Sequence, residues 1–160
     1  AAMSVLALLL SLALGAATPA RAASSSVVYN HQKHIDLGMK CLSCHIGADL
    51  QEKASIPNVK ACALCHIPGK DYPKTSPALG DAIKSGVDIK WPRVYQAARH
   101  VRFSHRRHVA GGGISCAACH GTIEKETVNI HRQAVRLDMA TCRSCHQKEK
   151  VNTDCLACHR

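Results

Sequence analysis

The chain has 160 residues and a formal net charge of +10, yet it contains only one Phe, one Trp and three Tyr. Aromatic side chains supply much of the buried mass of an ordinary domain, so this composition argues against a conventional hydrophobic core. A positive charge this large suggests nucleic acid or an anionic membrane surface as partner. No nucleic-acid-binding motif accompanies the charge, so we expect no nucleic-acid partner.

The first 22 residues have the pattern of an export signal. Ala1 to Ala17 is almost wholly apolar, and Ala20-Arg21-Ala22 has the small-x-small form of a leader-peptidase site. We expect residues 1–22 to remain as an uncleaved N-terminal transmembrane helix in contact with lipid, although the apolar stretch is short for a span. Removal as a signal peptide is the alternative. Either way, residues 23–160 would face the periplasm from the bacterial cytoplasmic membrane.

All ten cysteines fall in five C-x-x-C-H motifs. In such a motif the two thiols add to the vinyl groups of a c-type haem, and the histidine can ligate the iron from one face. Paired cysteines also form disulfides or zinc sites. Zinc needs no histidine after every second cysteine, and five half-sites cannot pair without a remainder, so we predict five covalently bound haems. The motifs are Cys41, Cys44 and His45; Cys62, Cys65 and His66; Cys116, Cys119 and His120; Cys142, Cys145 and His146; and Cys155, Cys158 and His159.

Five haems would replace the missing core of residues 23–160. The sequence therefore predicts a pentahaem domain that is mostly irregular, with short α-helices wrapped around the macrocycles, and a haem-free chain that is unfolded. The two propionates of each haem would offset about ten of the positive charges, so much of the Lys and Arg surplus is expected to balance the cofactor.

A pair of histidines three residues apart precedes the first and the third motifs. The two halves align as H-x2-H-x6-C-x2-C-H-x16-C-x2-C-H and H-x2-H-x7-C-x2-C-H-x21-C-x2-C-H, and the fifth motif follows the second half. This alignment predicts an internal duplication. Histidines three apart on a helix lie near the same face, so one segment could bridge two haems. The pairs are His31 with His34, and His105 with His108.

An aromatic residue, then x-His-x-x-His, ahead of a C-x-x-C-H motif resembles the class III multihaem cytochromes c. Tyr29 and Phe103 are those aromatic residues here. In that family the first histidine ligates the haem of the following motif and the second reaches a different haem. The resemblance implies that His31 serves the haem on Cys41 and Cys44, and that His105 serves the haem on Cys116 and Cys119. His34 and His108 would then cross to other haems.

Further segments make the resemblance more specific. From Tyr29 to Arg160 the chain is similar to the membrane-anchored pentahaem cytochrome subunit of alternative complex III, and to its relative in the quinone reductase complexes of sulfate reducers. The resemblance implies an electron-transfer subunit of a respiratory or photosynthetic complex, with iron–sulfur and quinone-linked subunits and another cytochrome c as partners. The segments are 54–59, 91–95, 100–105 and 153–155, with Gly121 and Met139.

The sequence leaves the second ligand of one iron open. His131, Met139, His100 and Met39 compete for this place. His131 is favoured because it stands on an apolar, roughly alternating stretch that suits an extended segment laid over a haem face. Met139 comes next, and its thioether would raise the potential of its haem. His100 could instead bind a propionate.

Three functions fit these motifs. An electron conduit needs every iron six-coordinate, whereas a multihaem oxyanion reductase needs an open iron site beside acid and base residues. Six histidines outside the motifs, with the methionines, exceed the five distal places. This count favours the conduit, with no catalytic residue, over the reductase. A free periplasmic shuttle is the third alternative.

Overall fold

The computed structural model describes residues 26–71 and 73–159, and the expected transmembrane helix in residues 1–22 lies outside them. Within the described residues the chain forms short helices joined by turns and extended segments, as the sequence predicts. Their bounds are α1 (His31–Asp36), α2 (Cys41–Cys44), α3 (Val59–Cys62), α4 (Pro77–Ser85), α5 (Cys116–His120), α6 (Met139–Lys148) and α7 (Cys155–Cys158), with a π-helical turn at Arg107–Gly111 and a 3-10 turn at Ile123–Lys125.

The β pairing in the described residues consists of an isolated antiparallel bridge between Val101 and His159. None of the helices in residues 26–71 and 73–159 has the length and apolar character needed to cross a membrane.

The helices are too short to be stable by themselves, so their ends are fixed by specific contacts. Asn30 caps α1 by accepting from the Lys33 N–H at 2.9 Å, and Asp138 caps α6 by accepting from the Thr141 N–H at 2.9 Å. Ser76 caps α4, where Pro77 occupies the first helical position. Helices α2, α5 and α7 hold little beyond a C-x-x-C pair. Three of the helices that carry motif cysteines have side-chain caps: Asn58 caps α3, Asp138 caps α6 and Asp154 caps α7.

One small apolar cluster holds α3 against α4. Val27, Val59, Leu79 and Ile89 are the buried apolar side chains of the described residues, and Trp91 packs at the edge of the cluster. Two polar contacts tie the cluster together: the Asn58 amide oxygen accepts from the Ile89 N–H at 2.6 Å, and the Trp91 indole donates to the Pro57 carbonyl at 2.8 Å. The cluster lies beside the second motif, and it is too small to serve as a core for the described residues.

Large apolar side chains next to the motifs are exposed in the polypeptide. Leu64 is 83% exposed, Leu156 75% and Ile46 66%. Leu64 and Leu156 stand inside C-x-x-C pairs, and Ile46 follows the first motif histidine. A soluble protein seldom exposes many such side chains around its functional residues. The apolar surface of a macrocycle attached at each motif is the natural cover for them.

The two halves of the duplication are tied together by exchanged hydrogen bonds. The backbone N–H groups of His105 and Arg106 donate to the carbonyls of Glu52 (3.0 Å) and Gln51 (2.9 Å) in the first half. In the other direction, the Asn129 side chain accepts from the Tyr29 N–H at 2.8 Å and donates to the Val27 carbonyl at 3.0 Å. The H-x-x-H segment of each half is therefore held by a loop of the other half.

Candidate haem-binding sites

The same aromatic arrangement orients both H-x-x-H pairs. The Tyr29 ring centre lies 4.6 Å from that of His31, edge-on at 85°, and 4.6 Å from that of His34, stacked at 21°. The Phe103 ring centre lies 4.8 Å from that of His105 at 85° and 4.7 Å from that of His108 at 27°. In each half the aromatic ring therefore turns the two imidazoles in different directions, although both stand near one face of a helical turn.

A one-residue difference between the halves coincides with the π-helical turn. Six residues separate His34 from Cys41, whereas seven separate His108 from Cys116. A π turn absorbs one extra residue within a helix, and such turns are frequent at functional sites. The π-helical turn Arg107–Gly111 begins directly before His108. The π-helical turn accommodates the extra spacer residue, so the second H-x-x-H pair keeps the same geometry as the first.

Four of the five C-x-x-C-H histidines have a second histidine opposite them. Two imidazole nitrogens bound to one metal ion at about 2 Å each place the ring centres roughly 6 Å apart. In the described residues no group of three or more His, Cys, Asp or Glu is gathered for a metal ion, but a haem needs only two protein ligands because the porphyrin supplies four nitrogens. The ring-centre distances are 6.2 Å for His34 and His66, 6.4 Å for His105 and His120, 6.0 Å for His108 and His146, and 5.4 Å for His100 and His159.

His31 and His45 form the remaining pair. Burial, together with the nearby His45 and His34, lowers the pKa of His31 to about 4. The Nδ1 atom of His31 is buried and has no hydrogen-bond partner among the described residues. An imidazole that is kept neutral and close to a second imidazole is suited to binding a metal ion rather than a proton.

Hydrogen bonds fix the tautomer of five of these histidines. In each case a backbone carbonyl oxygen lies within hydrogen-bond distance of Nδ1. Since a carbonyl only accepts, Nδ1 carries the proton and the Nε2 lone pair is left free, as in most metal-binding histidines. The carbonyls are Asn30 for His34 (2.7 Å), Ser55 for His45 (2.9 Å), Glu52 for His105 (3.1 Å), Ser104 for His108 (2.8 Å) and Asn152 for His146 (2.8 Å).

The thiols are available for haem attachment. All ten cysteines are free, and each C-x-x-C pair has the three-residue spacing that places both thiols near one face of a helix. A cleft of about 460 Å³ between α2 and α5 is lined by Cys41 and Cys116 together with the apolar Met39, Leu42 and Ala117. Thiols at the wall of an apolar cleft fit covalent attachment of a macrocycle.

Tyr95, which lies in one of the segments that carry the resemblance, contributes to the third site. Its ring centre lies 4.4 Å from that of His120, and its hydroxyl donates to the His120 carbonyl at 3.3 Å while accepting from the Ala134 N–H at 2.8 Å. Gly121 makes this contact feasible: its φ is +66°, and an added Cβ would lie 2.8 Å from the Ala134 Cβ. A glycine directly after a motif histidine is the signal that points to such a close approach.

Among the described residues, no hydrogen bond or ring contact joins the two favoured candidates for the fifth distal ligand, His131 and Met139, to the fifth motif. His131 is exposed and has no ring partner among the described residues. Its neighbours Asn129 and Gln133 bond to Tyr29 and to the Val94 carbonyl (3.1 Å), beside the first and third motifs. Met139 is 62% exposed at the start of α6, which carries the fourth motif. By contrast, His100 is opposite His159.

Comparison with known proteins points to multihaem cytochromes c. Residues 101–160 match the family model for cytochrome c7 and related cytochrome c. Over 161 aligned residues, the chain is 27% identical to the menaquinone reductase, multiheme cytochrome c subunit, of Nitratidesulfovibrio vulgaris strain Hildenborough; the alignment covers 82% of this chain and 75% of that protein. The two similarities support a multihaem cytochrome c that carries electrons on covalently bound c-type haem.

Proposed function

We propose that this protein is an electron conduit with five c-type haems, each ligated by two histidines and none open to substrate. The observation that carries the proposal is that four of the five C-x-x-C-H histidines have a second histidine opposite them, and that the fifth, His45, is close to His31. With both axial positions of an iron filled by protein, no position remains for an oxyanion, so the geometry favours a carrier over a reductase.

Each H-x-x-H segment would bridge two haems. His31 would complete the haem on Cys41 and Cys44, whereas His34, which lies opposite His66, would complete the haem on Cys62 and Cys65. In the second half, His105 is opposite His120 and would complete the haem on Cys116 and Cys119. His108 is opposite His146 and would complete the haem on Cys142 and Cys145. These assignments agree with the division of labour that the class III resemblance implies.

Cysteines of different motifs lie near one another, and these proximities support one continuous order of the haem sites. Burial raises the pKa of Cys62, and the nearby Cys44 adds to the increase, which joins the second motif to the first. The Cys116 pKa is likewise raised by burial and by a contact with Cys41, which joins the first motif to the third. Cys119 neighbours Cys145, and Cys142 neighbours Cys158. The order that follows is second, first, third, fourth and fifth haem.

The polypeptide would position the haems and tune their potentials, while the haem irons supply the redox chemistry. In the folded holoprotein, backbone carbonyls would hold the Nδ1 protons of five of the histidines, and the Tyr29 and Phe103 rings would orient the imidazoles of the two H-x-x-H pairs. The cationic surplus would compensate the propionates. No bond-making step is assigned to a protein side chain.

The conduit would work as a subunit on the periplasmic side of the bacterial cytoplasmic membrane. Residues 1–22 would anchor it in lipid, and its partners would be iron–sulfur or quinone-linked subunits and another cytochrome c. The relative that is a menaquinone reductase subunit supports a quinone-linked complex, and alternative complex III is the complex proposed from the resemblance. A free periplasmic shuttle is the second candidate, because cleavage after residue 22 would leave the haem domain intact.

Mild detergent extraction of native membranes tests this placement. We expect the full-length chain, with its haem stain and intact mass, to co-purify with other redox subunits and to stay in the membrane fraction after a high-salt wash. The salt wash is the control for peripheral electrostatic binding. Recovery as a lone soluble species that lacks residues 1–22 would contradict the anchored subunit and favour the shuttle.

A further inference from the structure

We propose that His100 is the distal ligand of the fifth haem, on Cys155 and Cys158, so that His100 and His159 complete the set of axial pairs. This inference rests on the proposed function, since it assumes a haem on the fifth motif. It assigns an iron ligand that lies 59 positions before its partner, outside both H-x-x-H segments.

Backbone contacts hold His100 at the fifth motif. Val101 pairs with His159 in the isolated antiparallel bridge, and the Arg102 N–H donates to the Cys158 carbonyl at 2.7 Å. A further bond from the Val101 N–H to the Ala98 carbonyl, at 2.9 Å, closes a turn around His100. The segment that carries His100 is therefore fixed against the C-terminal end of α7 by its main chain.

The two imidazoles are arranged like the other candidate pairs. Their ring centres are 5.4 Å apart and their planes differ by 17°. The separation is slightly shorter than in the three other measured pairs, which span 6.0 to 6.4 Å, so a small outward movement of one side chain would place an iron between them. Imidazole side chains make such movements at little cost when the backbone is already in place.

The competing side chains lack a comparable position. The segment around His131 is bonded to residues 27–29 and to Val94, which belong to the surroundings of the first and third motifs. Met139 begins the helix of the fourth motif, whose histidine already has His108 opposite it. Among the four candidates named from the sequence, His100 is the one whose next residues, Val101 and Arg102, are bonded through their backbone to the fifth motif.

Carbon monoxide binding to the reduced holoprotein tests the assignment, because the gas takes an axial position only where a ligand is missing or weak. His100→Ala is expected to bind about one carbon monoxide per chain. His131→Ala and Met139→Leu, the matched controls, are expected to bind none. His100→Met is the second variant, which keeps the test available even if His100→Ala does not accumulate. A thioether should replace the imidazole and add one long-wavelength sulfur-to-iron absorption band to the spectrum of the oxidised protein. Intact mass confirms equal haem content in every variant.

Failure of the His100 assignment and failure of the proposed conduit would give different results. No carbon monoxide binding by His100→Ala together with no new band in His100→Met would overturn the His100 assignment, as would an open site that appears in His131→Ala or Met139→Leu instead. Carbon monoxide binding by the unaltered holoprotein, or an intact mass with fewer than five haems, would contradict the proposed conduit itself.

Discussion

A chain produced without haem attachment is expected to be unfolded. The described residues bury only four apolar side chains, Val27, Val59, Leu79 and Ile89. Burial of such a side chain contributes about 1.5–3 kcal/mol, whereas ordering the backbone of a single residue costs about 1–2 kcal/mol. Because the cluster is so small and helices of four to ten residues do not form alone, covalent haem and iron ligation must supply most of the folding free energy.

Far-UV circular dichroism and denaturant titration measure this effect. The haem-free chain, expressed without the attachment machinery, should give a coil spectrum with no cooperative transition, and the holoprotein should give both helix signal and a cooperative transition. A variant that lacks only the fifth attachment site, Cys155→Ala with Cys158→Ala, is the graded control and should keep most of the helix signal. Native-like helicity in the haem-free chain would contradict the view that the haems form the core.

Replacing His108 with Met is expected to change the fourth haem and to leave the third unchanged. His108 is 6.0 Å from His146 between ring centres, whereas His120 of the nearby third motif has His105 opposite it at 6.4 Å. A thioether ligand raises the potential of a haem relative to a bis-histidine one. The altered haem should therefore titrate at a higher potential. Electrons should then stay longer on this haem, the fourth of the five in the proposed order, and electron transfer from one end of the order to the other should be slower.

Electron paramagnetic resonance of the oxidised protein identifies which haem changes. Nearly parallel imidazole planes give a more rhombic low-spin signal than tilted planes, and the His105 and His120 planes differ by 2° whereas those of His108 and His146 differ by 35°. His108→Met should keep the most rhombic signal, and His105→Met should remove it. His131→Met, at an exposed position, is the control and should change neither signal. Loss of the most rhombic signal in His108→Met would show that the bridging assignment is wrong.

The sequence predicted the architecture well where the determinants are local. Short helices, the attachment cysteines and the H-x-x-H pairs all follow from spacings of three or four residues, and a helix turns such spacings into a shared face. The sequence also shows the aromatic residues that contact these pairs, since Tyr29 and Phe103 each stand two positions before the first histidine of a pair. The π-helical turn that contains His108 was not predicted. Its signal in the sequence is the one extra residue between His108 and Cys116.

The sequence could not rank the candidates for the fifth distal ligand correctly, because their positions depend on non-local contacts. His100 stands outside the duplication and meets His159 only because residues 101 and 102 bond to the end of α7. His131 was favoured for the apolar pattern around it, but that pattern serves a segment whose Asn129 and Gln133 tie together distant parts of the chain. Periodicity reports which face of a segment is apolar, and it carries no information on which distant residue the segment meets.

The central claim, five haems with both axial positions filled, is tested most directly by adding carbon monoxide to the dithionite-reduced, unaltered holoprotein whose haem content has been counted by intact mass. The conduit predicts a mass with five haems and a reduced spectrum that carbon monoxide leaves unchanged. A high-spin haem that binds carbon monoxide in the intact protein would contradict it and would favour an open, substrate-binding site.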